Sequence, residues 1–137
     1  MRIRLVTALG AAVLSAGTLL SAPAAQAATK TRFDVEVGNT RTEGIITWYG
    51  RSVRLSGAQT SVADRTVGQF RNTGGYTLNS RGRTLSHAVS RAEDEAHADT
   101  RLFHFVVPAN VKGGAAFVRI CLLDGSLNPL KCKRYSR

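Results

Sequence analysis

Apolar and polar residues alternate with a period of two along much of this chain. Phe33, Val35 and Val37 are separated by Asp34 and Glu36, and Val53 and Leu55 lie among Ser52, Arg54 and Ser56. Phe103, Phe105 and Val107 alternate with Leu102, His104 and Val106. Successive residues of a strand face opposite sides, so each run reads as a strand with one face on a core. Gly44–Tyr49, Thr66–Arg71, Tyr76–Asn79, Ala116–Leu123 and Cys132–Ser136 are further predicted strands, rich in Val, Ile and aromatics. Turn chemistry at Gly38-Asn39, Tyr49-Gly50, Ser56-Gly57, Asn72 to Gly75, Gly113-Gly114 and Asp124-Gly125 separates them.

Many short strands with regular punctuation predict an all-β fold, an antiparallel β-sandwich of immunoglobulin-like or jelly-roll-like type or a small barrel. Leu85–Thr100 holds Ala88, Ala92, Ala96 and Ala98 among charges without a continuous apolar stripe. It reads as a long solvated loop with one or two helical turns. Ala116–Leu123 is apolar on both faces except at Arg119, as expected of a strand covered on both sides. Trp48 follows Ile45 and Ile46 and is expected in the core, which would turn its neighbour Tyr49 outward.

The N-terminus changes the picture. Arg2 and Arg4 precede an apolar run from Leu5 to Leu20, a break at Pro23, and the small-residue site Ala25-Gln26-Ala27. This is the pattern of a secretory signal peptide over 1–27, cleaved before Ala28, and the run is short of the roughly 20 residues of a membrane span. The expectation is a single exported domain over 28–137 with no transmembrane anchor. In an oxidising compartment Cys121 and Cys132 are expected to pair, stapling the last hairpin. That requires their Cα atoms to come within roughly 7 Å.

Charge then supplies the candidate chemistry. The chain carries 19 Lys and Arg against 9 Asp and Glu, a formal net charge of +10. Lys131, Lys133, Arg134 and Arg137 form the densest basic group, and Arg51, Arg54, Arg65, Arg71, Arg81, Arg83 and Arg91 add others. Such a field attracts extracellular polyanions or a cell-wall polymer, and the planar fork of Arg suits phosphate and carboxylate. No groove-reading motif for sequence-specific nucleic acid is present.

Catalytic signals are weak. Glu93-Asp94-Glu95, His97, Asp99 and His104 offer metal-ligating types, but at the spacing of neither a calcium loop nor a zinc helix. No metal, cofactor or catalytic residue is assigned. Gly50-Arg51-Ser52-Val53-Arg54 starts like a nucleophile elbow but lacks its second glycine. His87, His97 and His104 read as surface histidines. The expected function is that of a non-catalytic binding module contacting its ligand through Lys131, Lys133, Arg134, Arg137, Tyr49 and Tyr76. The alternatives are a carbohydrate-binding module with exposed aromatics, including Trp48 if it lay outside, and a small metal-dependent hydrolase built on Glu93 to Asp99. A disulfide-tied loop over Leu122–Lys131, rigid enough to engage a partner, is a further candidate. Oligomeric state is left open.

The runs Thr47-Trp48-Tyr49-Gly50-Arg51-Ser52-Val53, Arg83-Thr84-Leu85, Phe103-His104-Phe105, Val111-Lys112-Gly113-Gly114 and Arg119-Ile120-Cys121 before a second Cys are also distinctive. Together they resemble small, largely uncharacterised secreted β-sandwich proteins of Streptomyces-type actinobacteria. Ser86–Thr100 is longer and more charged than in that pattern. The resemblance implies the sandwich and the extracellular setting and brings no activity with it.

Overall fold

The computed structural model describes residues 28–62 and 69–137. The expected signal peptide and the Thr66 to Gly68 part of a predicted strand lie outside these residues. Among the described residues nine strands form: β1 (Thr29–Val37), β2 (Thr40–Trp48), β3 (Ser52–Thr60), β4 (Phe70–Leu78), β5 (Thr84–Val89), β6 (Ala96–His97), β7 (Thr100–Pro108), β8 (Phe117–Leu123) and β9 (Pro129–Ser136). A 3-10 turn at Ala92–Asp94 precedes β6. Two antiparallel sheets result, one ordered β1-β2-β3-β7 and the other β5-β4-β8-β9, with β6 extending the β5 side of β4. No helix among the described residues is long and apolar enough to cross a membrane.

The alternation places the core between the sheets. Phe33 and Val35 of β1, Ile46 and Trp48 of β2, Val53 and Leu55 of β3, and Phe103 and Val107 of β7 face Val118, Ile120 and Leu122 of β8. Trp48 is 3% exposed and donates its indole N–H to Thr31 Oγ1 at 2.9 Å. Tyr49 is turned outward, as the pleat requires. At one margin β9 closes on β1, where the Tyr135 hydroxyl accepts from Asp34 N at 3.0 Å and Tyr135 packs edge-on to Phe33. The Cys121–Cys132 disulfide joins directly paired residues of β8 and β9, with Cα atoms 4.1 Å apart.

Three expectations need correction. The turn read at Asn72 to Gly75 is the middle of β4. Thr73 hydrogen-bonds Thr42 at 2.6 Å and Gln59 at 2.8 Å inside the sandwich, which satisfies a residue type normally left to turns. A Cβ on Gly75 would overlap Leu55 and press on Val107 and Phe105, so the glycine admits the facing sheet there. The turn read at Ser56-Gly57 likewise lies inside β3, which continues to Thr60. Gly57 pairs with Gly44, and the two backbones approach so closely that a Cβ on either would overlap the other strand's backbone.

The third correction concerns Leu85–Thr100. It contains β5, the short 3-10 turn and β6 instead of a long solvated loop. Its apolar residues are held by the neighbouring elements, with Leu85 and Ala88 against the core and Ala96 fully buried. The polar ones are tied inward: Ser90 Oγ donates to Gln59 Oε1 at 3.2 Å, and Asn72 donates its amide to Glu95.

Candidate anion-binding face

Arg119 is the one charged residue of β8, flanked by the buried Val118 and Ile120. Because those neighbours face the core, Arg119 stands on the outer face of its sheet. Strand register then places a row of side chains beside it. Tyr76 of β4 pairs with Arg119 on one side and with His87 of β5 on the other, and Arg119 pairs with Arg134 of β9. The flanking residues confirm the shared face. Gly75 faces the core beside Tyr76, and Ala88 beside His87 and Tyr135 beside Arg134 pack against it. The row His87, Tyr76, Arg119, Arg134 therefore crosses all four strands at one level.

Within the row the rings and guanidinium groups stack. Tyr76 and His87 lie 5.6 Å apart between ring centroids at an interplanar angle of 20°. The Arg119 guanidinium carbon sits 4.6 Å from the Tyr76 centroid, and that of Arg134 sits 4.6 Å from the Phe117 centroid. Each arginine thus rests on an aromatic face, Arg134 at an exposed position and Arg119 at a half-buried one. Arg119 Nε is buried and has no hydrogen-bond partner among the described residues.

No carboxylate neutralises this row in the described residues. The ion pairs formed there are Arg41 with Asp34 and Glu43, Arg91 with Glu93, and Arg101 with Asp99. Asp124 is engaged elsewhere, accepting from Ser126 N and Asn128 N at 2.9 Å each in the β8–β9 turn. The β4–β5 hairpin adds further positive charge. Asn79 Oδ1 accepts from Arg81 N and Arg83 N at 2.9 Å, shaping a turn that carries two exposed arginines. A Cβ on Gly82 would lie 4.0 Å from Arg134 Nη1, so this hairpin borders the row.

The residues expected from the sequence divide among several places. Arg134 and Tyr76 belong to the row. Lys131 and Lys133 pair with the core residues Leu122 and Ile120 and therefore project from the other side of β9, where Lys133 Nζ donates to Asp34 O at 2.8 Å. Arg137 lies over Trp48 and donates to Tyr49 O at 2.8 Å. Tyr49 is exposed at the β2–β3 turn, away from Tyr76. Both faces of the Tyr76 ring are covered, by His87 on the β5 side and Arg119 on the β8 side, which leaves no open stacking surface there.

Arg119 and His87 were missing from the sequence-predicted contact set. The signal for Arg119 was present, as the single charge in an otherwise apolar strand. His87 had none, since its partnership depends on the pairing of β5 with β4.

The acidic segment does not assemble into a ligand set. Asp99 accepts from His97 N at 2.8 Å and from Arg101 Nε at 2.7 Å, which holds its carboxyl below the usual carboxylate value, the backbone bond being the larger cause. His97 stacks on Phe70 at 4.3 Å, and His104 stands on the outer face of β7 in the other sheet. Among the described residues no three His, Cys, Asp or Glu side chains gather closely enough to hold a metal ion.

No protein-family model, curated protein or solved structure matches this chain.

Proposed function

We propose that this protein is an exported, non-catalytic binding module that engages polyanions outside the cell, through the outer face of the β5-β4-β8-β9 sheet. The observation that carries this reading is the cross-strand pair Arg119 and Arg134, each stacked on an aromatic ring and neither paired with a carboxylate among the described residues. Guanidinium groups held in this way lose little freedom on binding, and their planar fork suits phosphate or carboxylate oxygens. Arg81 and Arg83 extend the positive field beyond the row. The leader-like N-terminus and the disulfide support an extracellular setting, in keeping with the resemblance to secreted actinobacterial sandwich proteins.

The partner class is a phosphate- or carboxylate-bearing polymer of the envelope or medium. Chemical-shift mapping with inorganic polyphosphate tests the surface. The reading expects the largest shifts at His87, Tyr76, Arg119 and Arg134, with smaller ones at Arg81 and Arg83. Shifts centred on Lys131 and Lys133, or spread evenly over all arginines, would contradict it.

A further inference from the structure

The outer face of the first sheet carries the most exposed apolar side chains. Leu102 is 77% exposed and Val106 54%, the highest values among the large apolar residues described, and Ile45 lies two strands away on the same face. Because Phe33, Ile46, Val53, Leu55, Phe103 and Val107 face the core, their alternating neighbours face outward here. Register arranges those neighbours in three cross-strand rows. Asp34, Glu43, Ala58 and Leu102 form the first, and Arg32, Ile45, Ser56 and His104 the second. Lys30, Thr47, Arg54 and Val106 form the third. Neighbouring rows lie about 7 Å apart, two residues of extended chain.

These rows complement one another. The first is acidic on β1 and β2 and apolar on β3 and β7, while the third is basic on β1 and β3 and apolar on β7. A two-fold axis lying along the middle row would set the first row of one copy against the third row of another. Asp34 then faces Lys30 of the second copy, and Leu102 faces Val106. Arg54 of the second copy lays its aliphatic stem over Ala58, with its guanidinium toward Glu43. A groove of about 660 Å³ bordered by Glu43, Ser56, Ala58 and Leu102 gives that stem room. Arg41 engages one oxygen of Asp34 at 2.7 Å and one of Glu43 at 2.9 Å, and each carboxylate keeps a second oxygen that can accept. Ile45, Ser56 and His104 meet their own copies. A two-fold axis along the strands would instead set Leu102 against Asp34 and Val106 against Lys30, so the pattern selects one register.

We propose that this face binds the same face of a second copy of the chain, as a dimer with its two-fold axis along the Arg32 to His104 row. Every contact off the axis then occurs twice, as in any two-fold interface. The two sheets keep their strands aligned, the arrangement that stacked sheets adopt about 10 Å apart. The cost falls at the β1 end, where Arg32 meets its own copy on an exposed edge strand. Four strands by three rows is a small patch among specific interfaces, so association is expected at about 10 µM protein and above. The second sheet takes no part, so the dimer does not rest on the polyanion reading. Where that reading holds, the dimer carries a cationic row on each of two opposite sides and can bridge two polymer chains.

Sedimentation equilibrium of the whole protein over a concentration series reads the association. The average mass should rise from that of the monomer toward twice that value. L102R changes an exposed residue, so it should keep the melting temperature while moving the association to at least about tenfold higher concentration. K30E and D34K, each alone, set like charges opposite one another and should weaken the dimer. An equimolar mixture of the two, or the double variant K30E/D34K, restores opposite charges and should recover it. R32Q should tighten the dimer, and R119Q/R134Q should leave it unchanged. A monomer at every concentration up to about 1 mM, a dimer that L102R leaves intact, or one lost in R119Q/R134Q would each overturn the proposal. Single charge variants without effect, or an effect that their mixture does not reverse, would overturn it as well.

Discussion

Arg119 shows how one residue gains meaning from its neighbours. A lone arginine in an apolar strand costs desolvation, and here stacking on Tyr76 offsets part of that cost while Nε stays buried without a partner among the described residues. The glycines are equally dependent on context. Gly57 sits opposite Gly44 where two backbones nearly touch, so G57A should destabilise the protein by about 3 kcal/mol in urea unfolding. A loss well under about 1 kcal/mol would show that β2 and β3 can separate freely there. Asp99 supplies a pH-dependent test. Its folded-state value lies below the unfolded one, so its contribution is present above about pH 4 and is lost as pH falls through the folded value. The stability gap between wild type and D99N should therefore close as the solution is acidified below about pH 4, and a gap that widened would reverse the assignment.

At the scale of elements, alternation was the reliable signal. Phe33/Val35, Val53/Leu55 and Phe103/Val107 face the core as their period predicts, because a two-residue repeat needs no knowledge of the partner strand. The errors fell where long-range contacts decided the outcome. Asn72, Thr73, Gly74 and Gly75 have the composition of a turn, yet Gln59 and Thr42 satisfy Thr73, and Leu55 and Val107 of the facing sheet occupy the space Gly75 leaves. β5 was likewise invisible, since its strand character comes from pairing with β4. The site was legible in part for the same reason: Tyr76 and Arg134 were identified, but register alone joins them to Arg119 and His87. The disulfide belongs to this scale too. It links residues already paired in the β8–β9 ladder and closes a short loop. Replacing both cysteines with alanine should lower stability by at most about 3 kcal/mol and leave a folded protein, as read by urea unfolding and far-UV circular dichroism. Complete unfolding would mean that the staple, and not the core, holds the last hairpin.

Across the whole molecule, positive charge is unevenly organised. On the outer face of the first sheet Arg41 is shared between Asp34 and Glu43, and Leu102 is 77% exposed. On the outer face of the second sheet Arg119 and Arg134 pair with no acid among the described residues and stack on rings. A net charge alone would attract polyanions without preference for a face, whereas an ordered pair of guanidinium groups predicts a located site. The measurement that separates these is polyphosphate affinity across a salt series for the wild type, R119Q/R134Q and K131Q/K133Q, variants that remove equal charge from the two sides of the molecule's edge. The account predicts that binding weakens steeply with salt, that R119Q/R134Q loses about tenfold or more in affinity and lowers the salt slope by roughly two contacts, and that K131Q/K133Q changes affinity by about twofold or less. Equal losses in the two double variants, or affinity indifferent to both, would contradict it.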